Sequence, residues 1–422
     1  MERKVADLTS TGGLRLPSTF AALRHRNFRL WFFGQTLSMI GTWMQSVAQG
    51  WLVYDLTGSE FALGVISFIG TLPTLFLMLP AGALADRIPR RRVLLFTQTT
   101  MMLLAFILAI LAATHVLRVW HVGVLAACLG IANSFDAPAR QALAVEMVED
   151  RRDLMNAIAL NSTIFNLARV VGPAIGGAVL AAVGAAWCFA LNGLSFLAVL
   201  VALLMMRLPQ TLQEVRTDPL TVQIAAGFRY ILENPPVRTM IMLVGVSSLF
   251  GFSYAVLMPA YAVDVLHVGE AGLGGLNVAI GVGALAGSLI VASMGKLRRK
   301  GLLLTMGSLL FPTVLLLFAF SQSFALSLVA LSIVGLAYVS QNATSNTLIQ
   351  SIIPDNLRGR VMAVYSLMFF GTAPFGALQA GAIAQVFGPA AGVAVGAVIT
   401  LVFAAGVFFA VPSLRRLEVE NS

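Results

Sequence analysis

The charged residues that could do chemistry in this sequence are concentrated in one short stretch, residues 81–95. The stretch reads AGALADRIPRRRVLL and sets one acid, Asp86, among four arginines. The arginines are Arg87, Arg90, Arg91 and Arg92. Long apolar runs flank the stretch, so it joins two predicted membrane spans through a loop of about ten residues. Short loops rich in Lys and Arg stay in the cytosol, so this tight hairpin marks the cytosolic face and is a candidate moving part.

Arg169 is the only strong base that falls well inside an apolar run. A charge within the bilayer is costly and is a functional hypothesis by default. We interpret Arg169 as a group that binds an anionic cargo or pairs with Asp136. The alternative is that it snorkels to the interface or forms a purely structural pair.

Asp136 and Arg140 flank Pro138 at the predicted cytosolic end of the fourth span. A step of four residues would pair them on one helical face, although Pro138 disturbs that geometry. Asp136 is the best candidate among few acids for binding a coupling proton, and a structural ion pair is an equally good interpretation. No acid falls deep within a predicted span, so the usual proton carrier at mid-membrane is not visible in the sequence.

The elements that would position these residues follow from composition. The chain has 422 residues, of which 58% are hydrophobic and 11% charged, whereas a soluble domain carries about 25% charged residues. The apolar runs are continuous and reach about 20 residues, the length that a membrane-spanning helix needs. A β-barrel would instead show short alternating strands. The sequence therefore predicts an all-α, multi-pass membrane protein.

Twelve spans are predicted, in two halves of six. The segments are a cytosolic N-terminal tail (1–29), a first half (30–206), a cytosolic linker with an amphipathic helix (207–238), a second half (239–411) and a cytosolic C-terminal tail (412–422). Of the 27 Lys and Arg residues, only Arg118 falls in a predicted outer loop. The acids Asp55, Glu60, Asp264 and Glu270 fall in outer loops. This asymmetry supports the span count and places both termini in the cytosol.

The two halves are weakly similar to each other. Gly172 and Gly177 recur at a constant offset as Gly376 and Gly381, and the charged loop has a degraded partner, GKLRRKG, at residues 295–301. That partner lacks the acid. A parallel repeat of this kind places the substrate site near the membrane midplane, between the halves.

The loop GALADRIPRRR resembles the signature of the major facilitator superfamily, G-x-L-x-D-R-x-G-R-R-x, with Pro89 in place of the second glycine. With the span count and the linker, the resemblance covers nearly the whole chain. It implies the major facilitator fold of twelve transmembrane helices in two six-helix halves. It also implies a conformational latch that stabilises the outward-facing state through contacts with a helix end. The latch would consist of Asp86, Arg87, Arg90 and Arg91, unless the arginines are only topology signals.

The fifth span carries RVVGPAIGG, residues 169–177. It resembles the antiporter motif of the superfamily's exporters, whose core is G-P-x-x-G-G, with Ala168 where that motif has an upstream glycine. Closely spaced glycines let helices approach each other, and a proline bends a span. A hinge or seal between the fifth and eighth spans is therefore expected. Its residues are Gly172, Pro173, Gly176 and Gly177.

In the fold that the resemblance implies, spans one, four, seven and ten line a central cavity. The polar residues expected there, together with two from span five, are Gln45, Gln49, Asn133, Asn161, Asn166, Tyr254, Gln341 and Asn342. In the first span, polar side chains recur at steps of three and four and share one helical face. They are Gln35, Ser38, Thr42, Gln45 and Gln49. We interpret this stripe as lining a water-filled cavity rather than as contacts between helices. With so little charge, such a cavity suits a bulky amphiphile.

Three segments look like the enterobactin-exporter group of bacterial efflux carriers, which includes siderophore exporters and drug efflux pumps. They are residues 41–59, 135–142 and 357–376. The resemblance implies a secondary active transporter of the bacterial cytoplasmic membrane that exports a small amphiphilic molecule by proton antiport. An importer or facilitator of a small metabolite on the same fold is the alternative, since composition does not encode direction.

The expected partners are therefore a small-molecule substrate, protons and the lipid bilayer, with no nucleic acid and no cofactor, and the chain is expected to be a monomer. The sequence contains no G-x-x-x-x-G-K-[ST] loop that would cradle a phosphate. It also shows no metal-ligand cluster, and no nucleophile paired with a base stands out. We therefore expect neither an enzyme nor an ATP-driven pump.

Overall fold

A computed structural model of the chain describes residues 18–85, 88–147, 153–207, 220–293 and 300–415. Within these ranges the chain is helical apart from short connections, and no strand occurs. Five sequence predictions fall wholly or partly outside them. These are the two tails, residues 208–219 of the linker, the degraded loop repeat at 295–299, and two members of the latch, Asp86 and Arg87.

The first half begins with a 3-10 helix, Ser18–Arg24, and continues with six long helices. They are α1 (Arg26–Thr57), α2 (Glu60–Ala85), α3 (Arg90–Ala113), α4 (Val119–Glu146), α5 (Leu154–Val183) and α6 (Ala185–Met205). Helix α7 (Leu220–Glu233) lies where the sequence predicts an amphipathic linker helix.

The second half also has six long helical segments. They are α8 (Pro235–Val265), α9 (Gly269–Ser293), α10 (Lys300–Ala319), α11 (Phe324–Ile352), α12 (Asp355–Phe387) and α13 (Pro389–Ala410). In the described part of the chain, eleven helices are long and apolar enough to cross a membrane. The twelfth is α1, which has 32 residues and carries the polar stripe. The structure therefore confirms the all-α, twelve-helix fold.

Large apolar side chains cover the outside of the bundle. Phe96, Phe320 and Phe409 are each exposed by 73% or more. A soluble protein rarely exposes contiguous apolar surface on this scale. These side chains are therefore the lipid-facing surface of a membrane protein, in which each helix satisfies its own backbone.

Two helices of the second half are interrupted. In α8, π-helical turns at Ser247–Gly251 and Tyr261–Val265 enclose a 3-10 stretch, Phe252–Leu257. In α12, regular helix ends at Gly371 and resumes at Ala373, next to Pro374. Such turns often occur at functional sites, and the interruption in α8 contains Tyr254.

Helix α4 is longer than the sequence predicts. The sequence places Pro138 at the cytosolic end of the fourth span, but the helix continues through Pro138 to Glu146. A proline inside a helix removes one backbone hydrogen bond without always ending the helix. The extension matters because it places Asp136 and Arg140 on one continuous helix.

The two ends of the bundle differ in charge. What we call the basic end carries Arg90, Arg140 and Arg207, and it is the predicted cytosolic side. What we call the acidic end carries Asp55, Glu60, Asp264 and Glu270, and it is the predicted outer side.

Candidate transport site between the two halves

Two helix pairs bring the halves together, α5 with α9 and α2 with α12. A Cβ atom on Gly177 would lie 2.7 Å from the Cα atom of Gly274 on α9. A Cβ atom on Gly381 would lie 2.6 Å from the carbonyl oxygen of Glu60 at the start of α2. Only glycine lets backbones approach this closely. Since these contacts lie toward the acidic end, the halves are closed against each other there.

Hydrogen bonds join the halves at the same end. The hydroxyl of Tyr54 on α1 donates to Oδ2 of Asp264 on α8. Oε1 of Gln385 on α12 accepts from the Ser59 hydroxyl at 2.5 Å and from the Phe61 backbone N–H at 3.2 Å. These bonds connect the first two helices of one half with two helices of the other.

Arg169 lies at this seam, on the α5 face that meets the second half. Its Cζ atom is 5.9 Å from the centroid of the Trp43 ring, a cation–π distance. Tyr254 and Tyr338, both from the second half, lie close enough to interact with it electrostatically. Its side chain keeps part of its surface exposed. In the described part of the chain, no carboxylate lies within ion-pair distance of Arg169.

Asp136 on α4 lies against α3 within the first half and is not a neighbour of Arg169. It is 2% exposed, and its Oδ1 atom accepts hydrogen bonds from the Thr97 hydroxyl at 3.0 Å and from Gln98 Nε2 at 2.8 Å. Its Oδ2 atom lies 3.6 Å from Nε of Arg140. The suggested pairing of Arg169 with Asp136 is therefore wrong, because α4 presents Asp136 to α3 whereas Arg169 faces the second half.

Arg90 and Arg91, the described members of the predicted latch, bind the ends of two helices in their own half. Arg90 pairs with Glu146 and also donates to the carbonyl of Ala142 at 3.2 Å, in the last turn of α4. Arg91 donates to the carbonyl of Leu204 at 3.0 Å, at the end of α6. A cation at a helix C-terminus interacts favourably with the helix dipole. Their part in a latch stays a prediction.

Glu146 lies just beyond the apolar part of α4, which ends at Leu143. Burial raises the pKa of the Glu146 carboxyl above its ordinary value. The nearby Arg90 guanidinium lowers this pKa and offsets part of the rise. The ion pair therefore keeps a partly buried acid ionised more readily than burial alone would allow.

The predicted hinge residues of α5 divide between two neighbours. A Cβ atom on Gly172 would lie 2.5 Å from Cβ of Trp43, and one on Gly176 would lie 3.2 Å from Cα of Met44, so both glycines face α1 in the same half. Gly177 and the carbonyl of Pro173 face α9. We expected all four residues to lie between the fifth and eighth spans. The structure places only Pro173 and Gly177 there, against α9, which is the eighth span.

Two residues predicted to line the cavity are buried between helices instead. Gln45 is 6% exposed and accepts a hydrogen bond from Asn192 on α6 at 2.6 Å. Gln341 is fully buried, and its Nε2 donates to the Ser247 hydroxyl at 2.8 Å. Gln35 and Ser38 are also buried. The interpretation of the first-span stripe as a cavity lining is therefore wrong for these positions, because their side chains are packed between helices. The amides of Gln45 and Gln341 each find a partner on a neighbouring helix.

The remaining predicted cavity residues are scattered. Asn133 is exposed, Gln49 is half-buried, and Asn166 bonds to the carbonyl of Ser162 in its own helix. Half-buried Asn161 accepts from Trp31 at 3.4 Å.

Tyr254 and Asn342 lie in the region of Arg169. Tyr254 is 2% exposed and interacts electrostatically with Arg169. Asn342 donates to the carbonyl of Tyr338 at 2.8 Å, and its Oδ1 atom is buried without a hydrogen-bond partner.

Sequence reasoning missed several residues of this arrangement. Tyr338 precedes Asn342 by four residues, so their shared helical face was a usable signal. Thr97 and Gln98 are adjacent polar residues in an otherwise apolar span, which was also a signal. The Tyr54–Asp264 and Ser59–Gln385 contacts had none, because their partners lie 210 and 326 residues apart.

Two six-helix halves that close on each other around a central arginine define a membrane transporter of the major facilitator fold. A bacterial homologue of the lysosomal transporter Spinster, in an inward-facing and unoccupied conformation, is similar with a TM-score of 0.71 and 14% identity, covering 96% of this chain and 98% of that one. A peptide transporter, POT, in complex with sulfate is similar with a TM-score of 0.72 and 13% identity, covering 96% and 100%. At these identities the likeness concerns the fold alone.

The chain matches the family described as transmembrane secretion effector over residues 17–422, and it belongs to that family. It is 29% identical to the multidrug efflux pump Tap of Mycolicibacterium fortuitum, covering 90% of this chain and 94% of that one. It is 26% identical to the staphyloferrin A transporter of Staphylococcus aureus, covering 85% and 90%. It is 27% identical to the enterobactin exporter EntS of Escherichia coli, covering 93% and 94%. The chain is therefore a multi-pass membrane transporter of small molecules and not an enzyme.

Proposed function

We propose that this protein exports a small amphiphilic molecule across the bacterial cytoplasmic membrane by alternating access, driven by proton antiport. The observation that carries the proposal is the closure of the two halves at the acidic end, beyond Arg169. A carrier closed on the outer side exposes its central site to the side from which an exporter loads its cargo. The basic end, where the described chain begins at Ser18 and ends at Arg415, is then cytosolic, as the positive-inside rule requires. The protein acts as a monomer.

The relatives support export over import. The three relatives are a multidrug efflux pump, a staphyloferrin A transporter and an enterobactin exporter. Each likeness extends over 85% or more of this chain. The cargoes of these three relatives fit an amphiphilic molecule that is made in the cytosol or that enters the cytosolic leaflet of the membrane.

Asp136 and Arg140 are the candidate coupling pair. Protonation of Asp136 would remove the attraction for Arg140, whose Nη1 atom lies 3.3 Å from the sulfur of Met39 on α1. Thr97 and Gln98 would still hold the neutral carboxyl. A proton could thus release a cation that contacts α1 without dismantling the α3–α4 interface.

The test uses purified protein in liposomes that contain a trapped pH dye. A proton gradient is imposed, and amphiphilic drugs and siderophores are added one at a time. We expect proton flux that depends on cargo and falls to background in Asp136→Asn. Asp355→Asn is the matched control, because Asp355 pairs with Arg358 at 2.6 Å but is 88% exposed.

The alternatives give different results in the same assay. Cargo movement without proton flux would overturn the antiport proposal and indicate a facilitator. Where the basic end of the protein faces the liposome interior, an exporter moves cargo out of the liposome. Cargo movement only into such liposomes would overturn export itself. Orientation is determined by protease access to the linker from outside the vesicles.

A further inference from the structure

Among the residues that the structure describes, Arg169 in the central site has no negatively charged partner. The guanidinium of Arg169 stays protonated in proteins, and burying such a charge without a counter-charge is strongly unfavourable. The described part of the chain offers it the face of Trp43 at 5.9 Å and the hydroxyl groups of Tyr254 and Tyr338. These groups attract a cation but carry no charge. The missing counter-charge is therefore one that the described part of the chain does not supply there.

Aromatic rings from both halves surround this charge. Trp43 packs edge-on against Phe165 in the first half, with centroids 5.9 Å apart. Tyr338 stacks on Phe252 in the second half, with centroids 4.9 Å apart and ring planes 18° apart. Tyr338 is itself buried, whereas Trp43 and Phe252 are half-buried and keep surface on which another ring can stack.

We infer that the Arg169 site binds an organic anion with an aromatic ring, such as an aromatic carboxylate. The anion pairs with the Arg169 guanidinium, in the bidentate geometry that favours Arg over Lys, while the ring lies against the half-buried rings of Trp43 and Phe252. Because Trp43 belongs to one half and Phe252 to the other, such a ligand would contact both moving parts. This inference rests on the proposed function, since it names the class of cargo.

The membrane potential favours the export of an anionic cargo. An inside-negative membrane potential drives an anion outwards. A carrier of anions therefore does not need a second acid beside its binding site, and no carboxylate pairs with Arg169 in the described ranges. A cationic cargo would instead meet the repulsion of a fixed, partly buried positive charge.

Direct binding tests the inference with four probes of matched shape. Purified full-length protein in lipid nanodiscs is titrated calorimetrically at pH 7 with 2-naphthoate, neutral 2-naphthamide, cationic 2-naphthylmethylamine and the saturated decahydro-2-naphthoate. We expect 2-naphthoate to bind about tenfold or more tightly than each of the others, a difference that calorimetry resolves. Equal binding of 2-naphthoate and 2-naphthamide would overturn the anion site, and equal binding of the two carboxylates would overturn the aromatic requirement.

Variants assign the effect to Arg169. In Arg169→Gln the preference for 2-naphthoate over 2-naphthamide should disappear, and in Arg169→Lys it should persist in part. Arg118→Gln, an exposed arginine at the acidic end, should keep it in full. An unchanged preference in Arg169→Gln would overturn the inference. If Arg169→Gln does not fold, the four-probe comparison in the unmodified protein decides instead.

A transport assay separates this inference from the proposed function. If the protein exports an uncharged lipophilic dye from liposomes but shows no preference for 2-naphthoate, the anion site is overturned and export stands. If 2-naphthoate binds with the expected preference but no probe is moved, the anion site stands and the proposed export is overturned.

Discussion

At the residue scale, Asp136 is a buried carboxyl group held by two hydrogen bonds and one ion pair. The two donors are neutral groups on α3, and the ion-pair partner is Arg140, one turn further along α4. A buried carboxylate without such partners would be too costly to keep. The same contacts that make Asp136 a coupling candidate therefore also make it part of the first half's structure.

Asp136→Ala should destabilise the protein. The substitution leaves the Gln98 amide without its acceptor and Arg140 without its ion-pair partner, for a loss of about 2–4 kcal/mol. The Thr97 hydroxyl keeps the carbonyl of Leu94 as an acceptor. Thermal unfolding in detergent measures the loss against Asp355→Ala, where an exposed pair should cost less than about 1 kcal/mol. An equal, small change in both variants would contradict a structural role for Asp136.

Glu146 provides a pH-dependent prediction. Its pKa is raised by burial in the folded protein, so the folded state holds this proton to a higher pH than the unfolded state does. Stability from this group is therefore lost as the pH rises through the folded pKa. In Arg90→Gln the lowering effect of the guanidinium is gone, so the pKa should rise further and the loss on raising the pH should be larger.

The measurement is the melting temperature between about pH 4 and pH 8, the range in which a perturbed Glu titrates. Glu146→Gln is the control, because the contribution of this group should vanish from its profile. A profile of Arg90→Gln that runs parallel to that of the unmodified protein would show that the two side chains do not interact.

At the element scale, α5 uses its small residues on two faces. Gly172 and Gly176 let it lie against α1, and Gly177 lets it lie against α9. Since no hydrophobic force drives helices together in lipid, close backbone contact supplies much of the association. The same helix carries Arg169, so its position determines where the central charge sits.

Gly177→Ala should loosen the contact between α5 and α9. The new Cβ atom would lie 2.7 Å from Cα of Gly274, a backbone atom that cannot rotate away. Overpacking of this kind costs about 1–3 kcal/mol. Gly406→Ala is the matched control, since it lies within α13 with open space around its Cβ position. A melting temperature that falls equally in both variants would show that the close contact is not responsible.

At the scale of the whole molecule, the acidic end is held shut by contacts between halves. The Tyr54–Asp264 and Ser59–Gln385 hydrogen bonds span the seam, next to the glycine contacts of α2 and α12. A vestibule of about 720 Å³, lined in part by Trp51, Asp264 and Glu270, lies above the closed seam. Opening toward this vestibule must break these bonds.

Tyr54→Phe should shift the protein toward the state that is open at the acidic end. Loss of one hydrogen bond worth about 1 kcal/mol would raise the open population roughly fivefold. Spin labels at Val116 and Phe387, both exposed and in different halves, report the separation by pulsed electron resonance. The labels are placed in a chain in which Cys128 and Cys188 are replaced by alanine.

The control for this prediction is Tyr230→Phe. Tyr230 lies on α7, and its hydroxyl bonds to Asn234 within the same segment. A distance distribution that is the same in Tyr54→Phe and in the unmodified protein would mean that the glycine contacts alone keep the acidic end closed. Gln385→Ala, combined with Tyr54→Phe, should open it further.

The sequence by itself determined the helices and their order. The limits of α5 and the linker helix α7 follow from runs of apolar residues and from helical spacing, both of which are local properties of the chain. The family resemblance also rested on local motifs, such as the charged loop and GPAIGG, and the family match confirmed it.

Only the tertiary structure decided which helical face each polar residue presents to which neighbour. Gln45 meets Asn192, Asp136 meets Thr97 and Gln98, and Arg169 meets aromatic rings rather than an acid. The physical reason is that a helix in lipid can rotate about its axis at little cost in apolar burial, so its orientation depends on close contacts with partners distant in sequence. Periodicity reveals that a polar face exists, but only the assembled bundle determines whether that face meets a cavity or another helix.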